Sequence, residues 1–211
     1  MKIVVIGGTG LIGSKLVEKL RRDGHEPLTA ESLDGAQVVV DVSNTLPAGL
    51  LDLLVAESAA GVAHHVALSV VGADRLQEEL VKAGPVPYTI VRATEFFECI
   101  GGIADSSSDG DSVRLAPVLI QPVAADDVAS TLADVAIGSP LNDTVELAGP
   151  DAFRLDELVR RLLEASSDPR YVTTDVHARL FGAELFGRFL TPGDDARIAS
   201  TRFDDWIGQS S

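Results

Sequence analysis

Residues 3–13 read IVVIGGTGLIG, and this stretch decides the fold. Ile3 to Ile6 is a short, fully apolar, β-branched run, the pattern of a strand buried on both faces of a parallel sheet. Gly7-Gly8 ends it, and Leu11, Ile12, Leu16, Val17 and Leu20 then recur at helical spacing until Gly24 supplies a stop. The order is strand, glycine-rich turn, helix. Two glycine patterns overlap in the turn: Gly-x-Gly-x-x-Gly through Gly8, Gly10 and Gly13, and Gly-x-x-Gly-x-x-Gly through Gly7, Gly10 and Gly13. One glycine serves the tight turn, another lets backbone approach a pyrophosphate, and a third lets helix and strand pack closely. Placed after the first strand and opening an amphipathic helix, the motif stands in the context that dinucleotide binding requires.

Outward from this unit the alternation continues. Glu26–Ala30 reads as a weak strand, Ala36–Val42 (AQVVVDV) as a strong one, and Leu50–Ala60 as a helix stopped by Gly61. His64–Val71, a helix over Asp74–Ala83 and a strand over Pro87–Arg92 follow. Strands alternating with helices imply βαβ units and a parallel sheet covered on both faces, so the expected class is α/β, a Rossmann-type doubly wound sheet. Gly101–Asp111 (GGIADSSSDGD) reads as an exposed loop or hairpin tip; a strand near Val113–Leu119, a helix over Asp126–Ala136, a strand at Thr144–Leu147 and an amphipathic helix over Arg154–Ala165 come after it. Tyr171, Phe181, Phe186, Phe189, Phe203 and Trp206 crowd the C-terminal part. They suggest that residues 150–211 form a small helical cap on the substrate side of a single domain spanning 1–211, against the plainer reading of a satellite core.

Composition narrows the function. The chain has 211 residues with a formal charge of −15. Its basic runs never exceed Arg21-Arg22 or Arg160-Arg161. A nucleic-acid backbone binder needs a basic stripe, so no nucleic-acid partner is expected. An anionic cofactor is still compatible, because backbone N–H groups at a helix N-terminus hold phosphates without Lys or Arg. Cys99 is the single cysteine, which excludes an internal disulfide and any zinc site built on two cysteines, and it reads as a buried thiol. Adjacent His64 and His65 point to opposite faces of a strand and read as structural, so no metal is expected. Asp126-Asp127 precedes a helical pattern and reads as an N-cap. No apolar run reaches a membrane span, and four glycines between residues 7 and 13 break any signal-peptide helix, so the expected location is cytoplasmic, with no membrane contact.

The adenosine ribose is usually read about 20 residues past the glycine turn. Glu31, Asp34 and Asp41 are the acidic residues within reach, with no arginine beside them, which favours NAD over NADP. Asp41, closing its strand, suits the adenine edge or the capping of a turn.

Taken in order, GGTGLIG, VVVDVSN, HHVALSVVG, PYTIVRATEFFE, QPVAADDVA and TVELAGP resemble an atypical short-chain dehydrogenase/reductase of the NmrA-like, NAD(P)-binding group over most of residues 1–165. The resemblance implies an NADP or NAD cofactor and, as partners, a dinucleotide and a small-molecule substrate. It implies that Gly7, Gly10 and Gly13, with Thr9, Leu11 and Ile12 of the same turn, hold the pyrophosphate, and that Val42, Ser43 and Asn44 border the adenosine half. Ser69 falls where a substrate-polarising hydroxyl, the candidate catalytic group, is expected, and Arg92, Ala93 and Thr94 flank the nicotinamide. The activity implied is hydride transfer from NAD(P)H to a small carbonyl or quinone-like acceptor, or else dinucleotide sensing without turnover. The chain departs from the superfamily in one respect: its two tyrosines, Tyr88 and Tyr171, are followed four residues later by Arg92 and Asp175, so no Tyr-x-x-x-Lys exists. Compared with the family, three joints look compressed, at Thr29-Ala30-Glu31, Asn44-Thr45 and Ala73-Asp74, and segments are expected to be missing there.

Overall fold

The computed structural model describes residues 1–29, 32–43, 46–73, 75–180, 183–184 and 190–209, and of 183–184 only the backbone. The three compressed joints, together with Glu31, Asn44, Phe181, Phe186 and Phe189, therefore lie on or against positions outside the described residues.

The chain divides into two compact units: Met1–Ala93 with Ala125–Glu146, and Thr94–Ala124 with Leu147–Ser211. In the first, β1 (Lys2–Ile6), α1 (Leu11–Arg22), β2 (Glu26–Leu28), β3 (Val38–Asp41), α2 (Pro47–Ala60), β4 (His64–Val70), α3 (Leu76–Ala83) and β5 (Tyr88–Ala93) follow the expected alternation. β1 pairs in parallel with both β2 and β3, β3 with β4, and β4 with β5. β3 lies on the other side of β1 from β2, and the reversal of strand order falls between β1 and β3, where an open α/β sheet places its ligand crevice. α2 begins earlier than its apolar spacing suggests because Pro47 occupies the first turn, where its missing N–H costs nothing.

The second unit carries β6 (Ser108–Asp109), β7 (Ser112–Leu115) and β8 (Leu119–Ile120) after a helix α4 (Ile100–Ser106). α5 (Ala125–Ile137) returns the chain to the first unit, and β9 (Asp143–Ala148) leads back out. β10 (Phe153–Arg154), α6 (Leu155–Ala165), β11 (Tyr171–Thr174), β12 (Arg179–Leu180), β13 (Ala183–Glu184), β14 (Arg197–Ile198) and α7 (Phe203–Gln209) complete it. The main sheet runs β14-β9-β5-β4-β3-β1-β2, a Rossmann-type α/β arrangement.

Three expectations are corrected. Residues 101–106 are helical: Ile100, Ile103 and Ala104 lie on one face and bury against Phe97, Leu158 and Phe203, so packing overrides a Gly/Ser/Asp composition that reads as loop. The hairpin reading holds only for its tip, where Gly110 takes φ +60° between β6 and β7. The strand expected to run to Leu119 is interrupted at Ala116-Pro117-Val118. Phe203 and Trp206 pack with Phe97 at ring-centroid distances of 5.3 and 5.5 Å, a core internal to the second unit, and Tyr171 is exposed. Besides α6 and α7, residues 150–211 contribute short strands, so the segment is not purely helical.

The adjacent histidines divide between the faces of β4. His65 Nδ1 lies 2.9 Å from both carboxylate oxygens of Glu57 on α2, and both side chains are wholly buried. His64 Nε2 meets Thr89 Oγ1 at 3.0 Å. Burial above all, then the neighbouring His65, lowers the His64 pKa to about 4, opposed by the Gly138 backbone. His64 is therefore neutral in the fold but titrates near 6.5 when unfolded, so its protonation favours the unfolded chain once the pH drops below 6.5. About 2 kcal/mol of stability is expected to be lost through this residue by pH 5. Urea unfolding at pH 7 and pH 5 checks it: His64→Gln should remove that part of the decline, and an unchanged acid limb would contradict the assignment.

Candidate dinucleotide cradle and the Ser69 network

The turn after β1 is built by its glycines. Gly7 takes φ +80°, open to glycine and strained for other residues, and a Cβ there would sit 3.0 Å from the Ser43 backbone nitrogen. The first turn thus abuts the backbone at Val42 and Ser43, and Val42 N–H donates to Ile6 O at 3.0 Å. Gly10 N–H closes the turn on Gly7 O at 3.0 Å, and Gly10 is the N-cap of α1 with no side-chain cap. A Cβ on Gly13 would run into Gly7 O and come within 2.6 Å of Gly8 Cα, so this glycine is what lets helix and turn touch. The pattern realised is Gly7-Gly10-Gly13, while Gly8 packs against Thr29.

The N-terminus of α1 has no acidic residue in its first turn. Its N–H groups carry the positive end of the helix dipole, and Thr9, Gly10 and Leu11 are exposed there while Ile12 and Gly13 are buried. A cradle of exposed backbone with carboxylates excluded fits a pyrophosphate. Of the acidic residues considered for the ribose, Asp34 is exposed and its backbone carbonyl accepts from Lys2 Nζ. Asp41 is buried and caps a turn, accepting from Ser43 N at 2.9 Å and Ser43 Oγ at 2.6 Å. Asp126 and Asp127 lie inside the first turn of α5, not before it; Asp126 pairs with Lys15 of α1 at 2.9 Å.

Ser69 and Arg92 are register partners on β4 and β5. Sequence reasoning missed what joins them. Glu78 of α3 accepts from Ser69 Oγ at 2.7 Å, from Arg92 Nε at 2.7 Å and from Arg92 Nη2 at 2.5 Å, and Arg92 Nη1 reaches Glu146 of β9 at 2.7 Å. Burial pushes the Glu78 carboxyl toward neutrality and is the largest influence. The Arg92 and Ser69 hydrogen bonds and the charges of Arg92 and Lys82 together outweigh it, and the pKa lies below its ordinary value. The faint sequence signal was a charge inside an apolar strand, Arg92 in TIVRA and Glu146 in TVELA.

Ala93 is fully buried, its carbonyl accepting from Val71 N–H at 2.8 Å. In the second unit, Thr94 is also fully buried; its N–H donates to Leu147 O at 2.9 Å, and its Oγ1 has no hydrogen-bond partner among the described residues. Cys99 is half-buried, and burial first, then Glu95 and Glu98, push its thiol up to about 11, which keeps it protonated and inert. Among the described residues no group of three or more His, Cys, Asp and Glu is placed to hold a metal ion, and no helix is long and apolar enough to cross a membrane.

No protein-family model matches the sequence, and no curated protein matches it. Solved structures do. A dTDP-4-dehydrorhamnose reductase from Bacillus anthracis, in complex with NADP, superposes with a TM-score of 0.74 over 100% of this chain and 99% of that one, at 11% identity. A short-chain dehydrogenase/reductase superfamily protein from Agrobacterium tumefaciens with bound NAD gives 0.71, at 15% identity over 100% and 96%. An NADPH-dependent quinone oxidoreductase from Escherichia coli, complexed with NADPH, gives 0.67, at 20% identity over 83% and 78%. Identities this low speak for architecture, and the architecture is shared: the chain has the same Rossmann-type α/β fold as these structures.

Proposed function

We propose that this chain binds NAD or NADP along the carboxyl edge of β1, β3, β4 and β5 and passes hydride to a small carbonyl or quinone-like acceptor. The observation that carries the reading is the glycine cradle, in which Gly7 abuts the backbone of 42–43, Gly13 abuts the turn at Gly7 and Gly8, and Gly10 leaves the N-terminus of α1 open. Solved structures of the same fold hold NADP, NAD and NADPH. The reduced nicotinamide, when bound, supplies the hydride. The protein's part is to hold the pyrophosphate on the N–H groups that open α1, with Thr9 at the turn, to border the adenosine with Val42 and Ser43, and to orient the reacting end beside Ser69 and Arg92. This reading takes the protein as cytoplasmic, with small molecules and no nucleic acid as partners.

Two observations favour a second reading, a dinucleotide-sensing regulator: no Tyr-x-x-x-Lys exists, and the Ser69 proton is already given to Glu78. Fluorescence titration with NADH and NADPH, followed by oxidation assays against a quinone and aldehyde panel, separates the two. Binding with quinone turnover is expected. Binding without any turnover would favour the regulator, and failure to bind either dinucleotide would overturn both.

A further inference from the structure

A small cavity of about 20 Å³ opens at the carboxyl ends of β3 and β4, lined on its polar side by Asp41, Ser43, Ser69, Gln77 and Glu78. That is room for one water-sized group. A serine hydroxyl carries a single proton, and a carboxylate can only accept. The Ser69 proton is given to Glu78 at 2.7 Å and the Ser43 proton to Asp41 at 2.6 Å, so Ser69 turns a lone pair, not a hydrogen, toward the space it lines. Glu78 in turn is pinned as an anion by the two-point Arg92 contact, and Arg92 is pinned by Glu146. For Ser69 to donate into the cavity it would have to abandon a short, charge-assisted bond. Among the described lining side chains, only the Gln77 amide is able to donate as well as accept.

We infer that the Ser69 end of this cavity is a donor-selective subsite, in which Ser69 Oγ accepts a hydrogen bond from the –NH₂ of a bound ligand and offers no proton to a carbonyl or carboxylate placed against it. Glu78 is then a positioning residue that sets the direction of the Ser69 bond, and Ser69 is not the source of a proton in any reduction at this site. A dinucleotide offers two such groups, the nicotinamide carboxamide and the adenine amine; this arm rests on the function proposed above, and the other two arms stand without it.

Neutron diffraction from deuterium-exchanged, ligand-free crystals should show the Ser69 deuteron directed at Glu78 Oε1, and a deuteron directed into the cavity would overturn the inference. In NMR titrations, acetamide should shift the backbone amides of Ala67 to Ser69 while acetone at the same concentration does not; equal responses overturn it. For the dinucleotide, the parent is compared with its 3-acetylpyridine analogue, which lacks the amide –NH₂, and its hypoxanthine analogue, which lacks the amine. One analogue should bind at least tenfold more weakly, naming the group, and Ser69→Ala should shrink that difference below threefold. Equal binding of all three, or a difference that survives Ser69→Ala, contradicts the subsite. Should no dinucleotide bind, the proposed function fails while the neutron and acetamide results still decide the subsite.

Discussion

Gly13→Ala is expected to abolish dinucleotide binding, with at least a hundredfold loss of affinity, and to destabilise the protein by about 2 kcal/mol. Two effects compete. Alanine inside a helix is favoured over glycine by about 1 kcal/mol, which would stabilise α1. Against it, the new methyl overlaps Gly7 O and stands 2.6 Å from Gly8 Cα. Those are backbone atoms that no rotamer change can move aside, so the clash wins and the turn must open. Gly10→Ala separates binding from folding. Its nearest neighbour would be Gly7 O at 3.4 Å and its φ of −76° suits alanine, so stability should hold while a methyl occupies the approach to the α1 N-terminus. Calorimetric titration with NADPH and thermal unfolding of both variants check the pair; a Gly10→Ala protein that binds as tightly as the parent would place the pyrophosphate elsewhere.

Removing the arginine of the Ser69 network should cost more in stability than any surface ion pair. Arg92→Met leaves Glu78, whose side chain is 2% exposed, as a buried carboxylate facing, among the described residues, only Ser69 and the more distant Lys82. Breaking such a pair costs about 3–5 kcal/mol, whereas replacing both partners with apolar groups comes close to neutral. Glu78→Met/Arg92→Met should therefore regain most of what Arg92→Met loses. The pH dependence has a definite sign. In the native protein the Glu78 pKa is depressed, so the stability it contributes is present above the ordinary carboxylate pKa and lost as the pH falls through the folded value. In Arg92→Met the carboxyl loses its main stabiliser and takes up a proton more readily, so the gap between variant and parent should narrow toward acid. Urea unfolding at pH 7.5 and pH 4.5 measures it, and a single-variant loss below 0.5 kcal/mol would remove the network from the stability argument.

The strands, the glycine turn and the order of helices were legible in the sequence because each is a local pattern: β-branched runs at Ile3–Ile6 and Val38–Val40, glycine at fixed offsets, apolar residues at helical spacing in α1 and α6. α4 escaped because its composition favours a loop and only its partners in the second unit make it helical, although Ile100, Ile103 and Ala104 already stand at helical spacing. The Ser69 network escaped for a different reason. Glu78, Arg92 and Glu146 are 14 and 54 residues apart, and no local rule pairs them. Ser69 was found as a position, but the direction of its hydrogen bond was not, since that depends on a carboxylate supplied by another element.

The strand order bears on how the chain is made. β1, β2 and β3 all come from the first 41 residues, and β4 and β5 then add in turn at one side, each beside a strand already present. A polypeptide leaving the ribosome can thus lay down this half of the sheet by successive short closures. The helix that covers one of its faces is out of step. α5, which packs on α1 and on β3, β4 and β5, follows only after residues 94–124 have been synthesised. Until then α1 alone covers that side of the sheet, at β1 and β2, and the part formed by β3, β4 and β5, which bears His64 and Val66, lacks its covering helix.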